Sequence, residues 1–162
     1  FKISNERIVS EINKILLLDK EKCIKGLQLL WENRLFEIIL FELQLQYNYF
    51  QNSEYHDFVL HKHTLKAIEA AKDDPTFKDE LCVLWALLLH DIGKPFTATL
   101  NKNGDRYNYI GHELVGSYIA DNILKRLKFS NNDREYITEL IKNHQKENSI
   151  LKPFDNKGKR RE

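Results

Sequence analysis

The sequence contains no methionine, few of the residues that end helices and few cysteines that could cross-link the chain. Its 162 residues include six glycines, three prolines and two cysteines. Cys23 and Cys82 give neither a disulfide framework nor a paired-cysteine zinc motif, so we expect a reducing, cytoplasmic location. The longest apolar run has nine residues. That is about half of what a membrane span needs, and no signal-peptide pattern opens the chain.

A strong excess of charge of one sign is also absent. The formal net charge is +1, so no global field demands a nucleic-acid partner. The basic residues of segment 151–162 are expected to form a solvated tail rather than a ligand site. Because the chain starts at Phe1 and lacks methionine, we expect it to be part of a longer protein.

Apolar residues recur at helical spacing along most of the chain, which predicts an all-α fold. Ser4, Asp19 and Ser130 are suitable N-caps, and helices are expected over 57–72, 78–91 and 112–128. Residues 46–56 are polar and aromatic, as in a linker or loop. The long loop 93–111 contains NKNGDRYNY, which predicts a tight turn or a small β-hairpin near 100–110.

The doublet His90-Asp91 directly follows the apolar run Leu81–Leu89 (LCVLWALLL). An imidazole and a carboxylate at the end of a buried helix are costly to desolvate unless a partner binds them. A divalent cation is the simplest such partner. The following Ile-Gly-Lys-Pro stops the helix and brings Lys94 beside the doublet.

Other histidines lie on separate segments that a fold could bring to this doublet: His63, His112 and His144. His61 lies two residues before His63, and two such side chains cannot both face one site from a helix. The pattern indicates a metal-dependent hydrolase. Trp31 and Trp85 are expected in the core rather than as base-stacking platforms.

Three segments, HTL at 63–65, LLLHDIGKP at 87–95 and GHELVGSYIADNILKRLK at 111–128, resemble the HD superfamily of metal-dependent phosphohydrolases. Within it, the chain is most similar to the C-terminal HD region of bacterial tRNA nucleotidyltransferases (CCA-adding enzymes) and poly(A) polymerases. ISNERIVSEINKILL and KGLQLLWENRLFEIILFEL resemble their helical neck. The resemblance covers roughly 1–146 and implies a helical neck at 1–45, an HD helical bundle at 46–150 and a basic tail at 151–162.

The resemblance also implies a metal site. His63, His90 and Asp91 would hold a divalent ion (Ni, Mn, Co, Fe, Zn or Mg), whose water attacks a phosphate. His112 and His144 match histidines that bind a second metal or substrate phosphate. The closing aspartate is open: Gln145 follows His144 where relatives offer an acid, and Asp121 and Asp155 remain as candidates.

Two further groups could contact substrate. Lys94 could bind phosphate oxygens or pair with Asp91. Tyr107 and Tyr109 could stack on a nucleobase, although packing within a hairpin is an equally natural role.

The resemblance implies a phosphohydrolase or phosphodiesterase acting on nucleotides, cyclic nucleotides or RNA ends such as 2′,3′-cyclic phosphates. The family's nucleotidyltransferase head, with its Gly-Ser motif and paired aspartates, has no counterpart in these 162 residues. One alternative is therefore a non-catalytic body that holds tRNA for such a head. Another is a stand-alone HD nucleotide phosphatase. The oligomeric state stays open.

Overall fold

The computed structural model describes residues 3–52 and 59–145, and the all-α expectation is confirmed. The helices are α1 (Asn5–Leu17), α2 (Lys20–Glu32), α3 (Leu35–Ile39), α4 (Phe41–Gln44), α5 (Leu60–Asp73), α6 (Leu81–Leu89), α7 (Lys94–Thr97), α8 (His112–Arg126) and α9 (Asn131–Asn143). The tail 151–162, with Asp155, lies outside the described residues. Within the described ranges, no helix is both long and apolar enough to cross a bilayer.

The predicted N-caps begin three of the helices. The side chains of Ser4, Asp19 and Ser130 each accept a hydrogen bond from a backbone N–H three residues later. Each bond satisfies a donor that has no partner inside its helix. The helix expected from residue 78 instead begins at Leu81, because a turn closed by backbone bonds to Asp74 occupies the preceding residues.

Helix α6 is the centre of the core. A helix that is apolar on every side must be surrounded by protein, and residues 83–89 are all buried. The α6 helix packs against α1, α5 and α9. Trp85 is fully buried, and its Nε1 donates to Asn13 Oδ1 at 2.7 Å, so α1 and α6 are joined by a polar contact inside apolar packing. The packing role expected for Trp85 is confirmed.

The N-terminal helices are joined to the rest of the bundle by further polar contacts. Trp31 is also fully buried, as expected, and its Nε1 donates to the Leu43 carbonyl at 2.8 Å. Arg126 of α8 binds Glu42 of α4 through two hydrogen bonds of 2.8 and 2.9 Å. Asn5 of α1 donates to the Arg126 carbonyl. The contacts of Arg126 hold α1 and α4 against α8, and Trp31 joins α2 to α4.

The expected hairpin is present and is short. Strands β1 (Thr99–Leu100) and β2 (Tyr107–Asn108) pair antiparallel. The Asn52 backbone carbonyl accepts a hydrogen bond from the Tyr107 backbone N–H at 3.0 Å, so the segment 46–52 lies against the hairpin. That segment lacks a helix beyond α4, as expected of a linker, yet Gln46 and Gln51 within it are fully buried. It is a packed part of the fold.

The turn after α6 lies directly against α8. A Cβ placed on Gly93 would lie 2.2 Å from the His112 carbonyl oxygen and 2.6 Å from the Gly116 backbone nitrogen. Only a residue without a side chain permits backbones to approach this closely. The contact fixes α8, and His112 at its start, beside the His90-Asp91 doublet.

Candidate metal centre

The Asp91 carboxylate is the centre of a cluster of four histidines. Its Oδ2 lies 3.3 Å from His63 Nε2 and 3.2 Å from His90 Nε2. Its Oδ1 lies 3.2 Å from His112 Nε2 and 3.6 Å from His144 Nε2. The structure thus brings together the full set of histidines and the aspartate that the sequence suggested as metal ligands. His63, His90 and Asp91 form one group of closely spaced donor atoms, and Asp91, His112 and His144 form a second.

Four helices deliver these side chains. His63 lies in the first turn of α5, and His90 and Asp91 directly follow the last residue of α6. His112 begins α8, and His144 follows the last residue of α9. Because the ends of four helices meet here, the donors converge on one point.

Three of the histidines share one local arrangement. The Nδ1 atoms of His90, His112 and His144 lie 2.6, 2.6 and 2.5 Å from the backbone carbonyl oxygen three residues earlier. A carbonyl oxygen only accepts hydrogen bonds, so Nδ1 must carry the proton. In a neutral ring Nε2 then carries a lone pair and can bind a cation or accept a hydrogen bond. Metal-binding histidines commonly donate their second ring N–H in this way.

These lone pairs face each other and the carboxylate. His112 Nε2 lies 3.2 Å from His144 Nε2, a contact that repels unless a proton or a cation lies between the two atoms. Two ligand atoms that share a tetrahedral ion at about 2.1 Å are about 3.4 Å apart. The donor spacings of 3.2–3.6 Å in the cluster match that separation. The residues present therefore fit a divalent metal.

Asp91 is held in its ionised form despite its burial. Burial by itself would raise the pKa of this carboxyl group, but His90 and Lys94 beside it lower the pKa well below its ordinary value. The imidazoles of His112 and His144 next to the carboxylate act in the same direction. An ionised carboxylate is the form that binds a metal.

Lys94 lies inside the protein rather than at the mouth of the site. Its residue is 3% exposed, and Nζ donates to Asp91 Oδ2 and to Gln51 Oε1, each at 2.8 Å. Of its two expected roles, the structure favours the pairing with Asp91. Direct contact with a substrate phosphate stays a prediction, since nothing in the described residues points Nζ outward.

The two tyrosines of the loop differ in exposure. Tyr109 is nearly buried; its hydroxyl donates to the Gln51 carbonyl at 2.5 Å and its ring centroid lies 5.9 Å from Lys94 Nζ. Packing is the role this geometry supports. Tyr107 is 38% exposed on β2 and stays a candidate for stacking on a base.

Sequence reasoning gave no role to two glutamines beside the cluster. Gln145 places its amide nitrogen 3.2 Å from His112 Nε2, and only its position after a site histidine could have indicated this. Gln51 contacts Lys94 from a segment read as a linker, and no local signal marks it. Asp121 instead binds Arg134 through two of its nitrogens, away from the cluster, so it does not close the site.

His61 is buried and points away from the cluster. Its Nδ1 accepts a hydrogen bond from the Asn48 backbone N–H at 3.1 Å, and its ring packs against Tyr47 and Trp31. Burial lowers its pKa. The spacing argument that separated His61 from His63 is confirmed by these contacts.

Two curated proteins resemble this chain. The CC-adding tRNA nucleotidyltransferase of Thermus thermophilus is 29% identical over 150 residues, covering 87% of this chain and 32% of that protein. The A-adding tRNA nucleotidyltransferase of Deinococcus radiodurans is 38% identical over 65 residues, covering 40% of this chain and 15% of that protein. The chain thus spans a third or less of these relatives. No solved structure matches it significantly.

Two family descriptions match separate parts of the chain. Residues 2–46 match a probable RNA- and SrmB-binding site of polymerase A. Residues 59–161 match the HD domain, a match that includes the doublet and the histidines around it. The resemblance inferred from the sequence motifs is confirmed, and this chain belongs to the HD-domain family.

Proposed function

We propose that this chain is a metal-dependent phosphohydrolase or phosphodiesterase that acts on nucleotides or RNA ends. The observation that carries the proposal is the orientation of the imidazoles around Asp91. Three rings donate Nδ1–H to backbone carbonyls and turn Nε2 toward one buried carboxylate. Such a constellation is costly to bury unless a cation completes it.

The protein's own contribution would be to hold and orient the reacting groups. His63, His90 and Asp91 would be the ligands of one divalent ion, and His112 and His144, with Asp91, would bind a second ion or a substrate phosphate. When bound, the ion would activate water and polarise a phosphoryl oxygen. His63 is the most exposed ligand, with 26% of its side chain accessible, so substrate would approach from the α5 side. Asp91, ionised and buried, fixes the ligand geometry from the opposite side.

The donor set favours a transition metal over magnesium. Imidazole nitrogens dominate the cluster, and both donor groups found among the described residues contain Asp91 as the single carboxylate. Magnesium prefers oxygen ligands and keeps several waters, whereas Ni, Co, Fe and Zn bind imidazole well. We expect activity with Ni, Co, Mn or Zn to exceed that with Mg by about tenfold or more.

The test is phosphodiesterase turnover on a 2′,3′-cyclic nucleotide. The purified chain would be stripped of metal and assayed with Ni, Mn, Co, Zn and Mg in turn. His90→Ala removes one ligand and is expected to lower metal-dependent turnover by about a hundredfold or more. Lys62→Ala, an exposed change in α5 one residue from His63, is the matched control and should leave turnover unaltered.

Two results would count against this proposal. Turnover that persists in His90→Ala would assign the activity to another site or to a contaminant. Absence of turnover with every metal, in a protein that still binds tRNA, would favour the RNA-holding role described below.

A second prediction concerns Gln145, whose amide lies beside His112 Nε2. Gln145→Asp would place a carboxylate where relatives offer an acid, and a nearby unit charge should tighten divalent-metal binding by about tenfold. Gln145→Ala is the control and should not tighten it. Isothermal titration of the metal-stripped variants with Zn would measure both. Equal affinities in the two variants would show that position 145 does not face the metal.

A second candidate function is an RNA-holding body without turnover of its own. The match of residues 2–46 to a probable RNA-binding site favours it, as do relatives named for adding A or CC to tRNA. In that case the chain would serve a nucleotidyltransferase head in a cytoplasmic parent protein. Fluorescence anisotropy with labelled tRNA, with and without metal, would test it. Affinity that is independent of metal, without hydrolysis, would support this role over the first.

A third possibility, a stand-alone nucleotide phosphatase, has less support. Residues 2–46 match a probable RNA-binding segment, and an enzyme that hydrolyses free nucleotides does not need such a segment. Faster hydrolysis of free nucleotides than of RNA ends would favour it.

A further inference from the structure

Gln51 connects three parts of the molecule although no motif marks it. Its side chain is fully buried, and Oε1 accepts a hydrogen bond from Lys94 Nζ at 2.8 Å. Its own backbone carbonyl accepts the Tyr109 hydroxyl. Both ends of the residue are therefore fixed, and the position of Oε1 is set by the fold rather than by a mobile side chain.

The fixed position of Gln51 Oε1 determines the surroundings of the Lys94 ammonium group. Its ammonium group is buried between Asp91 and Gln51, with the face of Tyr109 at 5.9 Å. Gln51 is a neutral acceptor: it satisfies one ammonium proton without cancelling the charge. A carboxylate at the same position would divide the lysine's attraction between two anions. Because the Gln51 amide is neutral, the ammonium group of Lys94 attracts the Asp91 carboxylate alone.

That charge lies next to one of the two groups of donor atoms. Lys94 Nζ binds Oδ2 of Asp91, the same oxygen that faces His63 and His90. An ion bound by His63, His90 and Asp91 Oδ2 would share this oxygen with the Lys94 ammonium group. The positive charge of the ammonium group would repel the ion. Oδ1, which faces His112 and His144, has no ammonium group at this distance within the described residues.

We propose that Gln51 is a positioning residue that holds Lys94 as an internal counter-cation of Asp91 and thereby lowers the affinity of the centre for divalent metal. The inference rests on the proposed function, since it presupposes that the cluster binds metal. It assigns Lys94 to the tuning of metal binding and not to the substrate phosphate.

The experiment is a titration of the metal-stripped full chain with Co(II), followed by calorimetry and by the visible absorption of bound cobalt. Lys94→Met retains most of the length of the side chain but removes its charge, and should tighten binding by about tenfold. Gln51→Leu removes the acceptor that positions the ammonium, and should tighten binding by about threefold. Lys125→Met, an exposed lysine of α8, removes the same charge elsewhere and should change affinity by less than about twofold.

A double variant separates positioning from a merely structural role. If Gln51 acts through Lys94, then Gln51→Leu should have no further effect on cobalt affinity in the Lys94→Met background. An equal effect in both backgrounds would overturn the proposal, as would unchanged or weaker binding in Lys94→Met. Should Lys94→Met fail to fold by circular dichroism, Lys94→Gln gives the same comparison. A wild-type chain that binds no cobalt would instead overturn the proposed function itself.

Discussion

Asp91→Asn is expected to weaken divalent-metal binding by about a hundredfold or more, the largest effect of any single change in the cluster. Asp91 is the carboxylate shared by both groups of donor atoms. Asparagine retains the shape but removes the charge. Its amide nitrogen would also face a lone pair of a histidine rather than a metal. Isothermal titration with Zn or Co would measure the loss.

The same change is expected to destabilise the fold. Lys94 is buried, and without the carboxylate its ammonium group keeps Gln51 but loses its only anionic partner among the described residues. Leaving a buried charge unpaired costs about 3–5 kcal/mol. The double variant Asp91→Asn with Lys94→Met removes both charges, and should recover much of the free energy of unfolding while its metal affinity stays below that of the wild type.

These two variants separate metal binding from folding. Urea denaturation would give the free energy of unfolding, and calorimetry would give the affinity. Restoration of the wild-type metal affinity in the double variant would show that Asp91 is not a ligand. An Asp91→Asn protein as stable as the wild type would show that Lys94 has another anionic partner.

Gly93→Ala is expected to be the most destabilising change outside the ligands, by about 3 kcal/mol or more. The added Cβ would lie 2.2 Å from the His112 carbonyl oxygen and 2.6 Å from the Gly116 nitrogen. Both are backbone atoms, which cannot turn aside as a side chain can. Relief requires α8 to move away from the doublet. Because α8 carries His112, metal affinity should fall together with stability.

Gly116→Ala is the matched control on the opposite side of the same contact. Its Cβ would lie 3.3 Å from the Gly93 nitrogen and 3.5 Å from the His90 carbonyl oxygen. A shift of a few tenths of an ångström accommodates it, so we expect a loss of about 1 kcal/mol or less. Chemical denaturation of both variants would compare them. Equal losses would show that the approach of α8 to the turn is not the limiting contact.

Local features of the sequence determined the elements of this fold and the chemistry of its doublet. Ser4, Asp19 and Ser130 begin their helices because each cap bond lies within four residues. The apolar run predicted a buried helix because no side of it can face water. The need of His90 and Asp91 for a partner followed from the cost of burying them there. The start of α6 differs from its predicted position at residue 78, because a neighbouring turn competes with the helix.

Tertiary structure alone decided what surrounds Asp91. The convergence of His63, His112 and His144 on one carboxylate joins residues far apart in the chain, and the family resemblance anticipated it where spacing could not. No pattern in the sequence predicted that Lys94 turns inward toward Gln51. Gln51 lies 43 residues away in a segment without periodicity. Such a contact is fixed by the packing of the whole bundle, and no local pattern records it.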